Sequence, residues 1–378
     1  MMKHLVTYVF ISALAAVLAA CGDRVAETSP SAPHIFPDYA GVTVPVNIAP
    51  LNFRLDRFEG RARARLEAGA EHITVSTRDG AFRLPQRGWR RLCTAAVAAD
   101  VDISVTVEAR DGDGVWRRYA PFVIRVSEDE IDPYMVYRLI EPGYETWGEM
   151  GIYQRCLETF REEPVIETSS AGYGCVNCHT FRSQDPDMML FHMRQTHAGT
   201  MLLREGRIER LNTATDSTIS STVYPSWHPS GRYIAFSVNA TKLITLPDES
   251  NRVEVFDSAS DVVVYDTERH ELYSVPELMR GDRFETFPSF SPAGDKLYFC
   301  TADSVEMPAR YKEARYSLCS IGFDAASGRL GRDVDTLCNA RTTGRSVSFP
   351  RVSPDGAFML YALSDYGTFS IWHRDADL

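Results

Sequence analysis

With 378 residues, 44% of them apolar, and a formal charge of −11, the chain can bury more than one core and is not composed like a disordered segment. The acidic balance and the lack of any Lys/Arg-rich run exclude nucleic acid as an expected partner, and solubility is the plain reading of the charge.

The chain opens with "MMKHLVTYVFISALAAVLAAC": Lys3, an apolar run from Leu5 to Leu18, then small residues before Cys21. That run is too short and wrongly flanked for a spanning helix and fits an export signal over residues 1–20. Leu18-Ala19-Ala20-Cys21 resembles the bacterial lipobox, whose cysteine becomes the lipid-modified first residue of the mature protein; ordinary cleavage beside an incidental Cys21 is the alternative. Several acyl chains would give stable attachment, and the polar stretch 21–34 reads as a tether. The expected location is the bacterial cell envelope, lipid-anchored, at the outer membrane and facing the periplasm or the surface.

Residues 35–129 carry short alternating runs such as "EHITVSTRDG" and "DISVTVEARDGDGVW", separated by Gly and Asp turns, and predict a β-sandwich-like domain. Residues 130–199 form a linker followed by a short α/loop segment. In it "DPDMMLFHMRQTHAG" predicts a helix capped by Asp185 or Asp187 and ended by Gly199. "TMLLREGRIERLN" then predicts a hairpin.

Within 130–199 lies "GCVNCHTF", where Cys175, Cys178 and His179 form Cys-x-x-Cys-His, the attachment signature of a c-type haem. Two thiols three residues apart can add to the two vinyl groups on one porphyrin edge, and the adjacent imidazole can then bind iron. Gly172 and Gly174 give the backbone freedom for a close approach. A zinc site would need further ligands such as His192 and His197, and a redox dithiol would need a βαβ context that is absent. For the sixth iron position His192 is the first choice, with Met188, Met189, Met193 and His197 as alternatives; a second imidazole would give a low potential and a thioether a higher one. Cys93, Cys156, Cys300, Cys319 and Cys338 remain. Cys300 and Cys319 sit on successive strands, but no disulfide is assigned.

From residue 200 to 378 the chain repeats. "YPSWHPSGRYIAFSVN", "FPSFSPAGDKLYFCTAD" and "FPRVSPDGAFMLYALSD" align on Pro225, Pro288 and Pro350, at intervals of 63 and 62 residues. Four short strands per repeat is a propeller pattern. The "SPDG" turn at 353–356 resembles the TolB-type repeat, with "HPSG" and "SPAG" as looser copies. Only three inner-strand pairs are legible, so the propeller is expected to be partial and the chain truncated. The hairpin near 200–213 would then supply outer strands to a final blade.

Lipobox, "CVNCH" and repeats together are similar to a family of bacterial surface or periplasmic lipoproteins, often labelled cytochrome c biosynthesis or TolB-like proteins. The resemblance implies one haem c, with Cys175 and Cys178 as thioethers, His179 as proximal iron ligand and Cys21 as the lipidated residue. It also implies a six-bladed propeller that this chain does not complete, and it brings no established activity. The expected fold class is thus mainly β: sandwich, short haem segment, partial TolB-type β-propeller. The expected function is electron transfer to a redox partner protein docked on the propeller. An alternative is a scaffold binding protein or glycan, with Asp248, Glu249, Glu254 and Asp257 as loop candidates and the haem structural or sensory. An enzyme with an open iron is the weakest reading, because no acid–base pair accompanies the motif. No Ser-His-Asp order, phosphate-cradling loop or paired-carboxylate motif stands out.

Overall fold

In "RARARLEA", residues Arg61–Ala68, every second side chain is small or apolar, and Ala62, Ala64, Leu66 and Ala68 are buried while the arginines face out. This strand pairs antiparallel with Glu71–Thr77 on one side and Ile103–Arg110 on the other, within a seven-stranded sheet. The computed structural model describes residues 25–58, 60–110, 112, 114–140, 150–246, 253–367 and 377. The export signal, Cys21 and the acidic pair Asp248 and Glu249 lie outside the described residues. Among the described residues no helix is long and apolar enough to cross a membrane.

The chain divides into two compact units, 1–137 with 154–163, and 138–153 with 164–378. The first unit departs from the sandwich expected for 35–129. Beside its seven-stranded sheet and a three-stranded one it has a 14-residue helix, Gln86–Ala99. Trp89, Leu92, Cys93 and Ala96 recur at helical spacing and are buried on the sheet, with Trp89 Nε1 donating to the Ile48 carbonyl at 3.0 Å. The helix ends where Asp100 turns left-handed, at φ 52°.

The second unit contains three successive four-stranded antiparallel meanders and one strand pair. The first meander runs Val176–Arg182, Asp185–Met193, Gly199–Arg204, Arg207–Leu211, and the second Thr222–Trp227, Tyr233–Thr245, Val253–Asp266, Glu271–Tyr273. The third is Arg283–Phe290, Lys296–Asp303, Ser317–Asp324, Arg329–Cys338; the pair is Ser346–Val352 with Met359–Ser364. Each meander packs on the next. Leu190, Leu202, Trp227 and Phe236 fill the first interlayer, and Tyr233, Leu297, Phe299 and Phe323 the second. Phe284, Cys300, Tyr316 and Val347 fill the third. Ile234 and Phe236 face one interlayer while Tyr233 and Ala235 face the other, which is why "YIAFSV" is apolar throughout.

The repeat predicted around Pro225, Pro288 and Pro350 has a common backbone device. Tyr224, Phe287 and Phe349 take φ of 49°, 52° and 52°, and the register slips there between Val223 and Ser226, Thr286 and Ser289, Ser348 and Arg351. These are β-bulges on the first strand of each sheet. The three rings meet, with centroids 4.7 Å apart for Tyr224–Phe287 and 4.3 Å for Phe287–Phe349.

The first meander corrects three expectations. Residues 185–193 are a strand and not a helix; they pair on both sides, with Val176–Arg182 and with Gly199–Arg204. The boundary expected at 199/200 would therefore cut through one sheet. The hairpin near 200–213 does form, but it completes this sheet and is not a donor of outer strands to a last blade. The described residues thus hold four first-and-second strand pairs where three were legible, and they do not close a ring.

Candidate functional site

Cys175 precedes the strand Val176–Arg182, and Cys178 and His179 sit in its bulge, where the register slips between Asn177 and Thr180. Cys178 has φ 54°, so it occupies the position that Tyr224, Phe287 and Phe349 hold in the later sheets. Its N–H is held by Asn177 Oδ1 at 2.7 Å. The Cys175 carbonyl accepts the Arg194 N–H at 3.0 Å, which ties the motif to the end of the next strand. Gly174 makes that closeness feasible: a Cβ there would sit 2.4 Å from the Arg194 carbonyl oxygen, backbone that cannot swing away. Gly172, at φ 64°, closes the 3₁₀ turn Thr168–Ala171.

Both thiols are free. Burial pushes each of them up, against a smaller opposing pull from the Arg194 and Arg138 charges; a backbone hydrogen bond from Tyr224 also opposes the rise at Cys178. Cys175 is buried; His179 is half-buried, its ring edge-on to Phe181 at 6.3 Å.

Of the five sixth-ligand candidates, His192 lies directly across the strand pair from Asn177, and Met193 across from Val176. His192 is 5% exposed; its Nδ1 meets Thr200 Oγ1 at 2.8 Å, and its Nε2 is buried with no partner. Burial, with a smaller push from Arg194, lowers its pKa to about 3, so the ring is neutral near pH 7. With Thr200 fixing one nitrogen, the other is free to act. Met188 packs in the first interlayer, Met189 is buried opposite Phe181, and His197 is exposed beside Gly172. Among the described residues no three His, Cys, Asp or Glu side chains converge as a metal-binding group. The donor chemistry fits haem c: two free thiols, an adjacent imidazole, and a neutral buried imidazole with an unpartnered nitrogen one strand away.

His192 Nε2 belongs to a residue lining a cavity of about 790 Å³, which sequence reasoning did not foresee. Thr200, Thr213, Thr222, Asn239 and Thr241 form its polar wall, and Arg194 and Arg210 stand at its exposed rim. Nothing in the chain order signals it, because these residues come from separate strands and loops. Its lining contains none of Cys175, Cys178 and His179.

No family model matches the chain, and no curated protein matches it. Solved structures similar to it include dipeptidyl peptidase 4 of Porphyromonas gingivalis: 14% identity, 70% of this chain and 45% of that one, TM-score 0.36. A puromycin-hydrolysing peptidase of Mycobacterium tuberculosis shares 13% identity over 58% of this chain and 32% of that one, TM-score 0.38. An oligogalacturonate lyase from Vibrio parahaemolyticus shares 12% identity over 69% of this chain and 71% of that one, TM-score 0.34. The chain spans less than half the length of the dipeptidyl peptidase it matches. These likenesses assign neither a fold family nor an activity.

Proposed function

We propose that the protein is an exported, membrane-anchored, single-haem c-type electron carrier. In this reading a TolB-type propeller is the docking platform for a redox partner and Cys21 is the lipid anchor in the cell envelope. The observation that carries it is the motif's position: Cys178 and His179 occupy an interruption of a first strand and Cys175 immediately precedes that strand, with both thiols free. The bulge turns successive side chains out of strict alternation, so neighbouring residues can serve one group. A bound haem would supply reversible one-electron chemistry. Cys175 and Cys178 would hold its edge and His179 its iron. The meanders with matching bulges support the propeller, whose blades are four-stranded.

The test is the full chain made with c-type maturation machinery, read by a haem-stained gel and a pyridine haemochrome spectrum. One covalently bound haem with two thioethers is expected. Colourless protein whose Cys175 and Cys178 alkylate freely overturns the proposal. His192→Ala in the coloured protein reads the sixth position: a change to high-spin iron puts His192 on the metal, and an unchanged spectrum takes it off.

A further inference from the structure

We propose that the cavity between the first and second meanders is a binding site for a small polyhydroxylated anion, a sugar acid or a sugar phosphate. The proposal does not rest on haem attachment, since Cys175, Cys178 and His179 are not in the cavity wall.

Five polar residues of the wall are themselves buried: His192 at 5% exposure, Thr200 at 1%, Thr213 at 3%, Thr222 at 2% and Asn239 at 7%. Buried polar groups ordinarily find partners. Three hydroxyls here share contacts, Thr213 with Thr222 at 2.8 Å and Thr200 with each of them at 3.4 Å, so some of their donor and acceptor capacity is left over. Asn239 is more telling. Its Nδ2 donates to Asp257 Oδ2 and to Thr286 Oγ1, which fixes the amide, and its buried Oδ1 has no partner. A fixed, buried, unpartnered acceptor beside a row of hydroxyls matches a ligand that brings hydroxyl groups of its own.

The rim sets the charge. No Asp or Glu lines the cavity among the described residues, although the chain as a whole carries −11. Arg194 and Arg210 are the charged members. Arg210 donates its Nε to the Ala198 carbonyl at 3.1 Å and lies against Gly199, where a Cβ would come within 2.9 Å of that Nε. The guanidinium is thereby held in place, with N–H groups left for a carboxylate or phosphate. No Phe, Tyr or Trp belongs to the described lining, so recognition falls to hydrogen bonds and charge more than to stacking. The volume, about 790 Å³, is that of an ordinary small-molecule pocket.

The experiment is calorimetric titration of the full chain with glucuronate and with glucose 6-phosphate, against glucose, acetate and inorganic phosphate. Millimolar or tighter binding of at least one sugar anion is expected, with each control at least tenfold weaker. Which sugar anion binds tells whether the rim takes a carboxylate or a phosphate. Arg210→Gln, an exposed change, should weaken binding at least tenfold with an unchanged Tm, and Thr222→Val should weaken it from the buried side. The proposal falls if neither sugar anion binds, if a control binds equally well, or if binding survives Arg210→Gln in folded protein.

Discussion

Asp257 offers a quantitative test of the second meander. It is 1% exposed; Asn239 Nδ2 and Thr241 Oγ1, the latter at 2.9 Å, donate to its carboxyl group. Burial raises its pKa from 3.8 to about 7, more than those two hydrogen bonds lower it. The sign follows from linkage. Between those two values the folded protein holds a proton that the unfolded chain releases, so stability falls as pH rises, by about 1.4 kcal/mol per pH unit. From pH 5.5 to 7 that amounts to roughly 2 kcal/mol, with little further loss above pH 7. Asp257→Asn mimics the protonated acid in shape, and the Thr241 hydroxyl can turn to accept from the new amide. Urea unfolding of both proteins at pH 5.5 and pH 8.5 isolates the effect. Glu285, raised to about 7, and Asp261, raised to about 6, both by burial, titrate the same way in the two proteins and cancel in the difference. The wild type should lose about 2 kcal/mol more than the variant over that span. Parallel losses in the two proteins would refute the burial argument.

Three further outcomes follow from packing. Leu92→Ala removes a fully buried side chain from the helix–sheet contact of the first unit and should cost about 2–5 kcal/mol, read by urea unfolding; a loss under ~1 kcal/mol would mean the helix does not pack there. Gly174→Ala places a methyl on the Arg194 carbonyl and should cost roughly 1–3 kcal/mol, with faster hydrogen exchange at the Arg194 amide; unchanged exchange would refute the close approach. Cys300 and Cys319 should both alkylate in unreduced, denatured protein, and mass spectrometry showing them crosslinked would contradict the register. Phe299 and not Cys300 lies opposite Cys319, so the two thiols point to opposite faces of the sheet.

The legible parts of the fold were those in which local chemistry repeats. The aromatic-Pro bulge and the Pro-x-Gly turn recur because each needs a particular backbone: φ above zero before the proline, and again at Gly231, Gly294 and Gly356. The strand character of the first unit was legible from alternation, but its seven-stranded sheet was not, since a sandwich was expected there. Its helix was hidden because Gln86–Ala99 holds three arginines and several alanines, with an apolar stripe too narrow to interrupt the β pattern on either side.

The first meander was missed for a related reason, and the miss falls on the candidate site. It has the same bulge, but Cys178-His179 stands where the later sheets have an aromatic residue and proline. Its turn, Ser183-Gln184, takes φ of 46° and 64° without a glycine, so the usual hairpin signal is silent. "DPDMMLFHM" is apolar without alternation because Met189, Leu190, Phe191 and His192 are buried in succession, on both faces of the sheet. A run of that kind does not distinguish a buried strand from a helix. Read as a helix, it gave His192 no partner across a strand pair; as a strand, it places His192 by register, opposite Asn177 and beside Thr200. The residues of interest were therefore visible from their chemistry alone, while their neighbours depended on pairing between strands. The Cys-x-x-Cys-His spacing is local and could be read directly; the threonine and Asn239 wall is built from four separate stretches and could not.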